Sequence, residues 1–405
     1  MKIVVCVPPP VCDAYGHLTR YAEKLAEVGA ERGTRIEILK YSDDDFFARL
    51  FPNLMDEDCV VHFHSFLYDL KVHTAPALKK VRHALELCRA RAIATVSDHP
   101  FSDFMQEMVR NAHPNTRFMV IDNTFPDEMR FINPTLQQAK FLHVPFVAPV
   151  SFEVERLIDF DSREYDLVLP LLLVDTSKLN LKTLLGDIGD GWFERVVTAT
   201  YETVRTDLSQ NPFHVFSRCM RTEIGAGLDD VQRTFPKIVP TILNTLSLVD
   251  GFVRHERRAK VVNSLLRSVG DLKVAVLAKR AAGFEIDEKV EFVGTRPARE
   301  TAALIANSRA ILNCSPSYPT NVHERVTVGM LYESCVITDT NPCIEQNFST
   351  NEYIAYGPGS PMTIEDIFAT HDTREIARRS GKQARENPRF SWHAHFDSLL
   401  EIARA

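Results

Sequence analysis

Short apolar segments rich in β-branched residues alternate along the chain with segments whose apolar residues recur at helical spacing. The first kind predicts strands and the second predicts helices, and their alternation is typical of parallel sheets covered by helices. In the first part of the chain, strands are predicted at residues 2–7, 35–41, 58–64, 92–97, 117–122 and 141–144. Helices are predicted there at residues 18–32 and 75–90.

The same alternation continues after a proline-spaced segment at residues 145–149, which we interpret as a linker. Residues 176–250 are predicted to be mostly helical. Further strands are predicted at residues 165–174, 273–278, 289–293, 310–314 and 335–339, and further helices at 254–269, 301–306, 324–332, 363–369, 373–386 and 390–403. Two successive halves of this kind predict an α/β fold with two Rossmann-like domains facing each other across a cleft.

The bulk composition limits the classes of partner. A length of 405 residues suits two domains, and a formal net charge of −7 argues against binding to nucleic acid or to an anionic membrane. No segment approaches the roughly 18 apolar residues of a membrane span, and the N-terminus lacks the apolar core of a signal peptide. The eight cysteines include no CxxC pair. We therefore expect a cytoplasmic protein without structural zinc.

Polar residues follow several predicted strands of the first half. Gly16 and His17 lie between the first strand and the first helix, His64 ends a strand, and Asp98 and Asp122 come directly after two others. Because ligands of open parallel sheets bind at the carboxyl ends of strands, these loops are expected to form one wall of a binding cleft.

The second half contains a series of short motifs with a characteristic order and spacing. They are VDGFVR at 249–254, KVAVL at 273–277, VEFVG at 290–294, SRAILN at 308–313, HERV at 323–326 and VITD at 336–339. Together they resemble the C-terminal domain of GT-B fold glycosyltransferases, especially the CgeB-like (spore maturation protein-like) group.

The resemblance implies a GT-B fold made of three parts. Residues 1–150 would be an N-terminal Rossmann-like acceptor domain, and residues 151–385 a C-terminal Rossmann-like nucleotide-sugar domain. Residues 386–405 would be a C-terminal helix that crosses back to the first domain. The resemblance also implies that a nucleoside-diphosphate sugar is the donor substrate and that no separate cofactor is needed.

Four residues at the start of the predicted helix 324–332 are assigned to donor binding, namely Asn321, His323, Glu324 and Arg325. A helix N-terminus offers unpaired N–H groups and a partial positive charge, so it suits a diphosphate. The side chain of Arg325 would add a forked contact to phosphate oxygens. The alternative is that this segment only caps its helix and that Arg325 is solvated.

Two further pairs of residues are assigned to donor binding. Lys279 and Arg280 follow the predicted strand 273–278, where cations would stabilise the negative charge that grows on a departing nucleoside diphosphate. The alternative is that both are surface cations. Gly294 and Thr295 resemble the loop whose backbone reads the nucleotide base.

The turn that contains Gly16 and His17 resembles the Gly-His turn of inverting GT-B enzymes. In those enzymes the histidine removes a proton from the acceptor hydroxyl, a task that suits a neutral imidazole. We predict His17 as the base, oriented by Asp98 or Asp122, and assign Gly16 to the donor. The alternative is that His17 caps the first helix.

The acceptor is predicted to contact His64, His99 and Asp122, and either histidine is an alternative base. His62 and His64 alternate along one strand and therefore share a face, which raises the question of a metal site. No metal is expected, because GT-B enzymes usually hold the diphosphate with a helix dipole and cations.

One departure from the family pattern bears on the stereochemistry. Many retaining GT-B enzymes carry two glutamates around the donor helix, and the equivalent positions here are Thr320 and Val328. Glu333 stands where a glycine is usual. The absent glutamates favour an inverting mechanism.

The leading hypothesis is a glycosyltransferase that acts on a nucleotide sugar and on a glycan, a protein or a small molecule as acceptor. A nucleotide-sugar epimerase and a catalytically degenerate sugar-nucleotide-binding protein are the alternatives. A dinucleotide-dependent oxidoreductase is disfavoured, because no GxGxxG follows a predicted strand.

Overall fold

A computed structural model describes residues 2–8, 17–64, 71–75, 80–144, 157–175, 191–207, 209–315 and 318–405. The predicted linker at 145–149 and the residue Gly16 lie outside this set. The chain divides into two compact units. The first comprises Met1–Ser151, Phe235–Asn244 and Ser391–Ala405, and the second comprises Phe152–Thr234 and Thr245–Phe390.

The first unit is built around a six-stranded parallel sheet. Its strands are β1 (Lys2–Val7), β2 (Ile36–Lys40), β3 (Cys59–His64), β6 (Arg91–Val96), β7 (Arg117–Val120) and β8 (Phe141–His143), in the spatial order β2-β1-β3-β6-β7-β8. Its helices are α1 (His17–Glu31), α2 (Phe46–Leu54), α3 (Asp103–Asn111) and α4 (Phe125–Ile132). The strand order reverses between β1 and β3, the kind of point where open α/β sheets bind ligands.

Apolar periodicity explains how α1 covers this sheet. Tyr21, Ala22, Leu25 and Val28 are all buried and recur at helical spacing, so one face of α1 is apolar. The strands β1, β6 and β7 are buried along nearly their whole length, as expected for a parallel sheet covered on both faces.

One predicted helix is wrong. Within the predicted helix 75–90, the described residues 80–83 form the strand β5 (Lys80–His83), which pairs antiparallel with β4 (Lys71–Ala75). Pro76, which immediately follows β4, disfavours the helical conformation of the residue before it. The β-branched Val72 and Val81 favour strands, and the periodicity that predicted a helix did not capture this.

The second unit contains another six-stranded parallel sheet. Its strands are β9 (Tyr165–Leu169), β10 (Val274–Val276), β11 (Glu291–Phe292), β12 (Ser308–Asn313), β13 (Cys335–Thr338) and β14 (Ile354–Ala355), in the order β11-β10-β9-β12-β13-β14. This is the doubly wound order 3-2-1-4-5-6 of dinucleotide-binding folds. Two Rossmann-like α/β units are therefore present, as the sequence predicted.

The helices of the second part of the chain follow the predicted pattern with added length. They are α5 (Trp192–Thr206), α6 (Pro212–Ile224), α7 (Leu228–Thr234), α8 (Val239–Leu266), α9 (Ala298–Ala306), α10 (Glu324–Leu331), α11 (Pro342–Asn347), α12 (Ile364–Thr370) and α13 (Thr373–Glu386). The helix α8 has 28 residues and includes most of the predicted helix 254–269. Among the described helices, none is both long and apolar enough to cross a membrane.

The last helix, α14 (Trp392–Arg404), belongs to the first unit and packs against α1, β6, β7 and β8. Its apolar face buries Phe396, Leu399 and Ile402. The hydroxyl of Tyr21 and the Nε2 atom of His395 share a buried hydrogen bond of 2.6 Å. The C-terminal residues therefore complete the core of the N-terminal sheet.

Candidate functional site

The candidate site lies at the carboxyl edge of the second sheet, where the strand order reverses between β9 and β12. The segments that follow β9, β12 and β13 meet there with the middle of α8. Leu172 follows β9, Cys314 and Ser315 follow β12, and Asp339 follows β13. A backbone N–H of this edge, that of Ser315, donates to Asp339 Oδ1 at 2.7 Å.

Three arginines of α8 face this edge at the spacing i, i+3, i+4, which places them on one side of a helix. Arg254 Nε lies 2.6 Å from Asp250 Oδ2, and its guanidinium lies 5.4 Å from the ring centre of Tyr318. Arg258 Nη1 donates to the carbonyl oxygen of Leu172 at 2.6 Å.

The third of these arginines, Arg257, is 9% exposed. Its Nη2 atom lies 3.6 Å from Asp339 Oδ2, whereas its Nε and Nη1 atoms are buried without a hydrogen-bond acceptor. A buried guanidinium normally binds acceptors with all its N–H groups, so this one retains capacity for a ligand.

The N-terminus of α10 adds a fourth guanidinium. His323 caps the helix, since its Nδ1 atom accepts from the backbone N–H of Arg325 at 3.2 Å. Glu324 is therefore the first residue of the helix and is exposed. Within the described residues, the guanidinium of Arg325 forms no hydrogen bond or ion pair.

The ionisation of these groups shows that positive charge is concentrated here. Burial lowers the pKa of His323 well below its usual value, and the positive charges of Arg325, Arg258 and Arg254 lower it further. Burial lowers the pKa of Arg258 to about 10, and Arg325 and Arg254 again add to the effect. The pKa of His255 on the same helix falls to about 4, for the same two kinds of reason.

Two carboxylates lie within this group of cations. Asp250 is paired with Arg254, and Asp339 lies beside Arg257. Burial raises the pKa of Asp339, which weakens it as a counterion. Four guanidinium groups are thus gathered at one edge of the sheet, an arrangement that suits a doubly charged anion.

A pocket of about 490 Å³ adjoins the arginines on the side of β13 and β14. It is lined by Thr206, Asp207, Ser209, Arg257, Asp339, Thr340, Asn341, Pro342, Glu345, Ala355, Tyr356 and Gly357. Arg257 and Asp339 thus belong both to the charged cluster and to the wall of the pocket.

The other residues predicted to bind the donor occupy the same edge of the sheet. Lys279 and Arg280 are exposed beyond β10, and the guanidinium of Arg280 lies 4.8 Å from the ring centre of Phe292. Gly294, with a φ of +73°, and Thr295 follow β11. Lys279 and Arg280 stand two strands away from β12, and Gly294 and Thr295 stand three strands away. Neighbouring strands are about 4.8 Å apart.

Asn321 occupies a buried position beside the start of α10. Its backbone carbonyl accepts from Asn341 Nδ2 at 2.9 Å, and its own Oδ1 atom is buried without a hydrogen-bond partner. A role in donor binding remains a prediction for this residue.

In the first sheet, the structure positions only some of the predicted catalytic residues in detail. His17 is the first residue of α1, and His64 ends β3, but the side chains of both lie outside the described part. Asp98 follows β6 and is half-buried, and its Oδ1 atom accepts from the backbone N–H of His99 at 2.8 Å.

Two residues predicted to contact the acceptor are buried. The ring of His99 is fully buried, stacks on Phe101 with ring centres 4.5 Å apart, and contacts Glu128 at 3.3 Å. Asp122 is also fully buried, and its Oδ1 atom accepts from both the N–H and the hydroxyl of Thr124. These contacts stabilise local structure, and contact of either residue with an acceptor remains a prediction.

The arginines of α8 were not among the predicted site residues. The sequence does contain their signal, since Asp250, Arg254, Arg257 and Arg258 lie on one helical face next to a strong family motif. In the described residues no group of three or more His, Cys, Asp or Glu side chains is arranged to hold a metal ion.

Residues 257–401 match a protein family described as Glycosyl transferase-like. No curated protein sequence matches the chain. Among solved structures, phage T4 BGT in complex with its UDP-glucose substrate is similar over 100% of both chains, with a TM-score of 0.52 and 10% sequence identity. An alpha-glucosyltransferase in complex with UDP and a 13-mer DNA containing a HMU base is similar over 100% of both chains, with a TM-score of 0.50 and 9% identity. These similarities confirm the predicted GT-B fold, whereas the CgeB-like group remains a prediction.

Proposed function

We propose that the protein is a glycosyltransferase that moves a sugar from a nucleoside-diphosphate sugar to an acceptor hydroxyl. The observation that carries the proposal is the concentration of guanidinium groups at the switch point of the second sheet. Arg254, Arg258 and Arg325, with the N-terminus of α10, would hold the negatively charged diphosphate. The family match and the fold support sugar transfer, and the bound UDP and UDP-glucose in the two similar structures support a nucleotide sugar as donor.

The same cations would assist the chemical step. When the bond between the sugar C1 atom and the phosphate oxygen breaks, the electron pair remains on the diphosphate. Fixed guanidinium groups stabilise this growing charge without having to reorganise. Lys279 and Arg280 at the end of β10, and the backbone of Gly294 and Thr295 at the end of β11, would contact the outer phosphate and the base.

For the acceptor, we propose His17 as the base and an inverting mechanism. The imidazole would take the proton of the acceptor hydroxyl as the hydroxyl oxygen bonds to C1 on the face opposite to the leaving diphosphate. Asp98 is the better candidate for orienting His17, because β6 is two strands from β1 whereas β7 is three. The carboxylate of Asp122 already accepts two hydrogen bonds from Thr124. His64, at the end of β3 between them, would contact the acceptor.

Binding of nucleotides tests the donor site. We expect one of UDP, GDP, TDP and CDP, or its sugar conjugate, to bind in isothermal titration calorimetry. Arg325→Ala should weaken that binding by a factor of about 10 to 100, since charge-assisted hydrogen bonds contribute about 1.5–3 kcal/mol each. Arg299→Ala on the exposed face of α9 is the matched control and should bind as the original protein does. Binding of Arg325→Ala equal to that of this control would contradict the assignment.

Turnover tests the base. We expect His17→Ala to abolish transfer to the acceptor while donor affinity changes less than about threefold, because the base acts only on the acceptor. His371→Ala, an exposed histidine of the second unit, is the control for loss of a histidine. Normal turnover by His17→Ala would remove this residue from the mechanism, and conversion of the donor without any acceptor would favour an epimerase.

A further inference from the structure

We infer that the pocket beside Arg257 binds the sugar ring of the donor and selects a neutral, polyhydroxylated sugar against a uronic acid. This inference rests on the proposed function, because it takes the nucleotide to be bound by the neighbouring arginines. The pocket has a volume of about 490 Å³ and shares Arg257 and Asp339 with the charged cluster. A group attached to the diphosphate would therefore enter it directly.

The floor of the pocket carries both donors and acceptors of hydrogen bonds. Arg257 is 9% exposed and has two nitrogen atoms, Nε and Nη1, without an acceptor. The carboxylate of Asp339 is 4% exposed and lies 3.6 Å from the same guanidinium. A hydroxyl group both donates and accepts, so a ring with several hydroxyls would satisfy both side chains.

The rim of the pocket is acidic. Asp207 comes from the turn between α5 and α6, and Glu345 comes from α11. Asp207 is held in place by the backbone N–H and the hydroxyl of Ser209, which lower its pKa. It therefore stays ionised at neutral pH.

The balance of charge then decides between sugars. Among the described residues that line the pocket, three are acidic, namely Asp207, Asp339 and Glu345, and one is basic, namely Arg257. The carboxylate of a uronic acid would be repelled by the three acidic side chains, whereas the hydroxyls of a neutral hexose would donate hydrogen bonds to them. The helices α5 and α6 are inserted between β9 and α8, so Asp207 is contributed by an addition to the doubly wound core, whereas Glu345 is contributed by the core itself.

The first test compares two nucleotide sugars that differ only at C6, such as UDP-glucose and UDP-glucuronate, with the base chosen by the nucleotide that binds. We expect the protein to bind the hexose conjugate at least tenfold more tightly in calorimetry. The double variant Asp207→Asn, Glu345→Gln should reduce this ratio to less than threefold and leave the affinity for the free nucleotide unchanged. Asparagine keeps the acceptor oxygen that Ser209 uses, and Asp229→Asn on α7 is the matched control.

The second test examines Arg257. Arg257→Met should weaken binding of the hexose conjugate at least tenfold and binding of the free nucleoside diphosphate less than threefold, with thermal unfolding as the check on folding. Equal losses for both ligands would place Arg257 at the diphosphate and overturn the inference. An unchanged ratio in the double variant, or equal binding of both sugars by the original protein, would also overturn it. Failure of every nucleotide to bind would instead contradict the proposed function.

Discussion

At the scale of single residues, the candidate site is unusual in how its histidine is held. His323 contacts the helix backbone through Nδ1 and is surrounded by three arginines that, with burial, depress its pKa. The histidine is therefore neutral at pH 7 and offers no charge of its own. An arriving anion would offset the arginine charges, which raises the pKa of the imidazole.

This coupling predicts proton uptake on donor binding. Donor binding should therefore raise the pKa of His323, and affinity for a nucleotide sugar should increase as the pH falls towards the pKa of the complex. The proton would enter at Nδ1, where it replaces the cap hydrogen bond from the N–H of Arg325. The experiment should use the sugar conjugate and not the free nucleotide, because the diphosphate of the conjugate does not titrate in this pH range. Calorimetry in buffers of different ionisation enthalpy measures the protons taken up.

The control for this prediction is His323→Asn, because asparagine also caps a helix but does not titrate. In this variant the uptake of protons should disappear and the affinity should depend less on pH. The same uptake in both proteins would assign the proton to another group, of which His255 on α8 is the nearest candidate by its depressed pKa.

A second residue-scale feature is Glu333, which has a φ of +54°, in the left-handed region. The sequence already indicated that glycine is usual at this position, and the backbone conformation explains why. The side chain compensates in part, since its carboxylate pairs with Arg385. The backbone carbonyl of Glu333 accepts from Arg163 Nη1 at 2.8 Å.

At the scale of elements, Arg163 joins the end of α10 to the start of β12. Its guanidinium donates to the carbonyl oxygens of Ser308, Tyr332 and Glu333, and also to that of Ile158. The residue is 6% exposed. The carbonyls of Tyr332 and Glu333 lie beyond the last turn of α10 and that of Ser308 is at the first residue of β12, where regular backbone hydrogen-bond partners are missing.

Replacement of Arg163 by methionine should therefore destabilise the protein by about 3 kcal/mol, because several buried carbonyls would lose their donor. Urea unfolding followed by circular dichroism measures this loss. Arg195→Met is the control, since its ion pair with Glu223 is exposed and should contribute less than about 1 kcal/mol. Similar losses for both variants would show that the Arg163 contacts contribute little.

A comparison of the predicted with the observed helices and strands shows which elements the sequence is able to predict. β1 and α13 occupy the predicted residues, because strong apolar runs and clear helical ends define them. The helices α2, α3 and α4 were not predicted, since each has only eight or nine residues and too few turns to establish a period.

The site was predictable in part for a related reason. The segment at the start of α10 was identified because helix N-termini have a local signature, and the structure brings Arg325 and His323 to the switch point of the sheet. To predict the arginines of α8 as site residues, one would have to know which face of this long helix turns towards the sheet edge. The predicted roles of His99 and Asp122 remain predictions, and the structure shows that polar residues after a strand also form turns and buried pairs.

At the scale of the whole molecule, the C-terminal helix is far in sequence from the sheet that it covers. Phe396, Leu399 and Ile402 of α14 are buried in the first unit, and Arg117 Nη1 donates to the carbonyl oxygen of Ala403 at 2.8 Å. The end of the chain therefore contributes buried residues to the first unit, whereas the core cluster of the second sheet uses residues that precede it.

This division predicts that two equally severe core substitutions will act on different sheets. Leu399→Ala and Ile337→Ala each remove a fully buried side chain and should each cost about 3 kcal/mol. In native-state hydrogen exchange, Leu399→Ala should speed exchange in β6, β7 and β8 by roughly 100-fold and affect β9 and β12 much less, and Ile337→Ala should do the reverse. If either substitution sped exchange equally in both sheets, the two cores would have to unfold as one cooperative unit, and the division by core membership would be wrong.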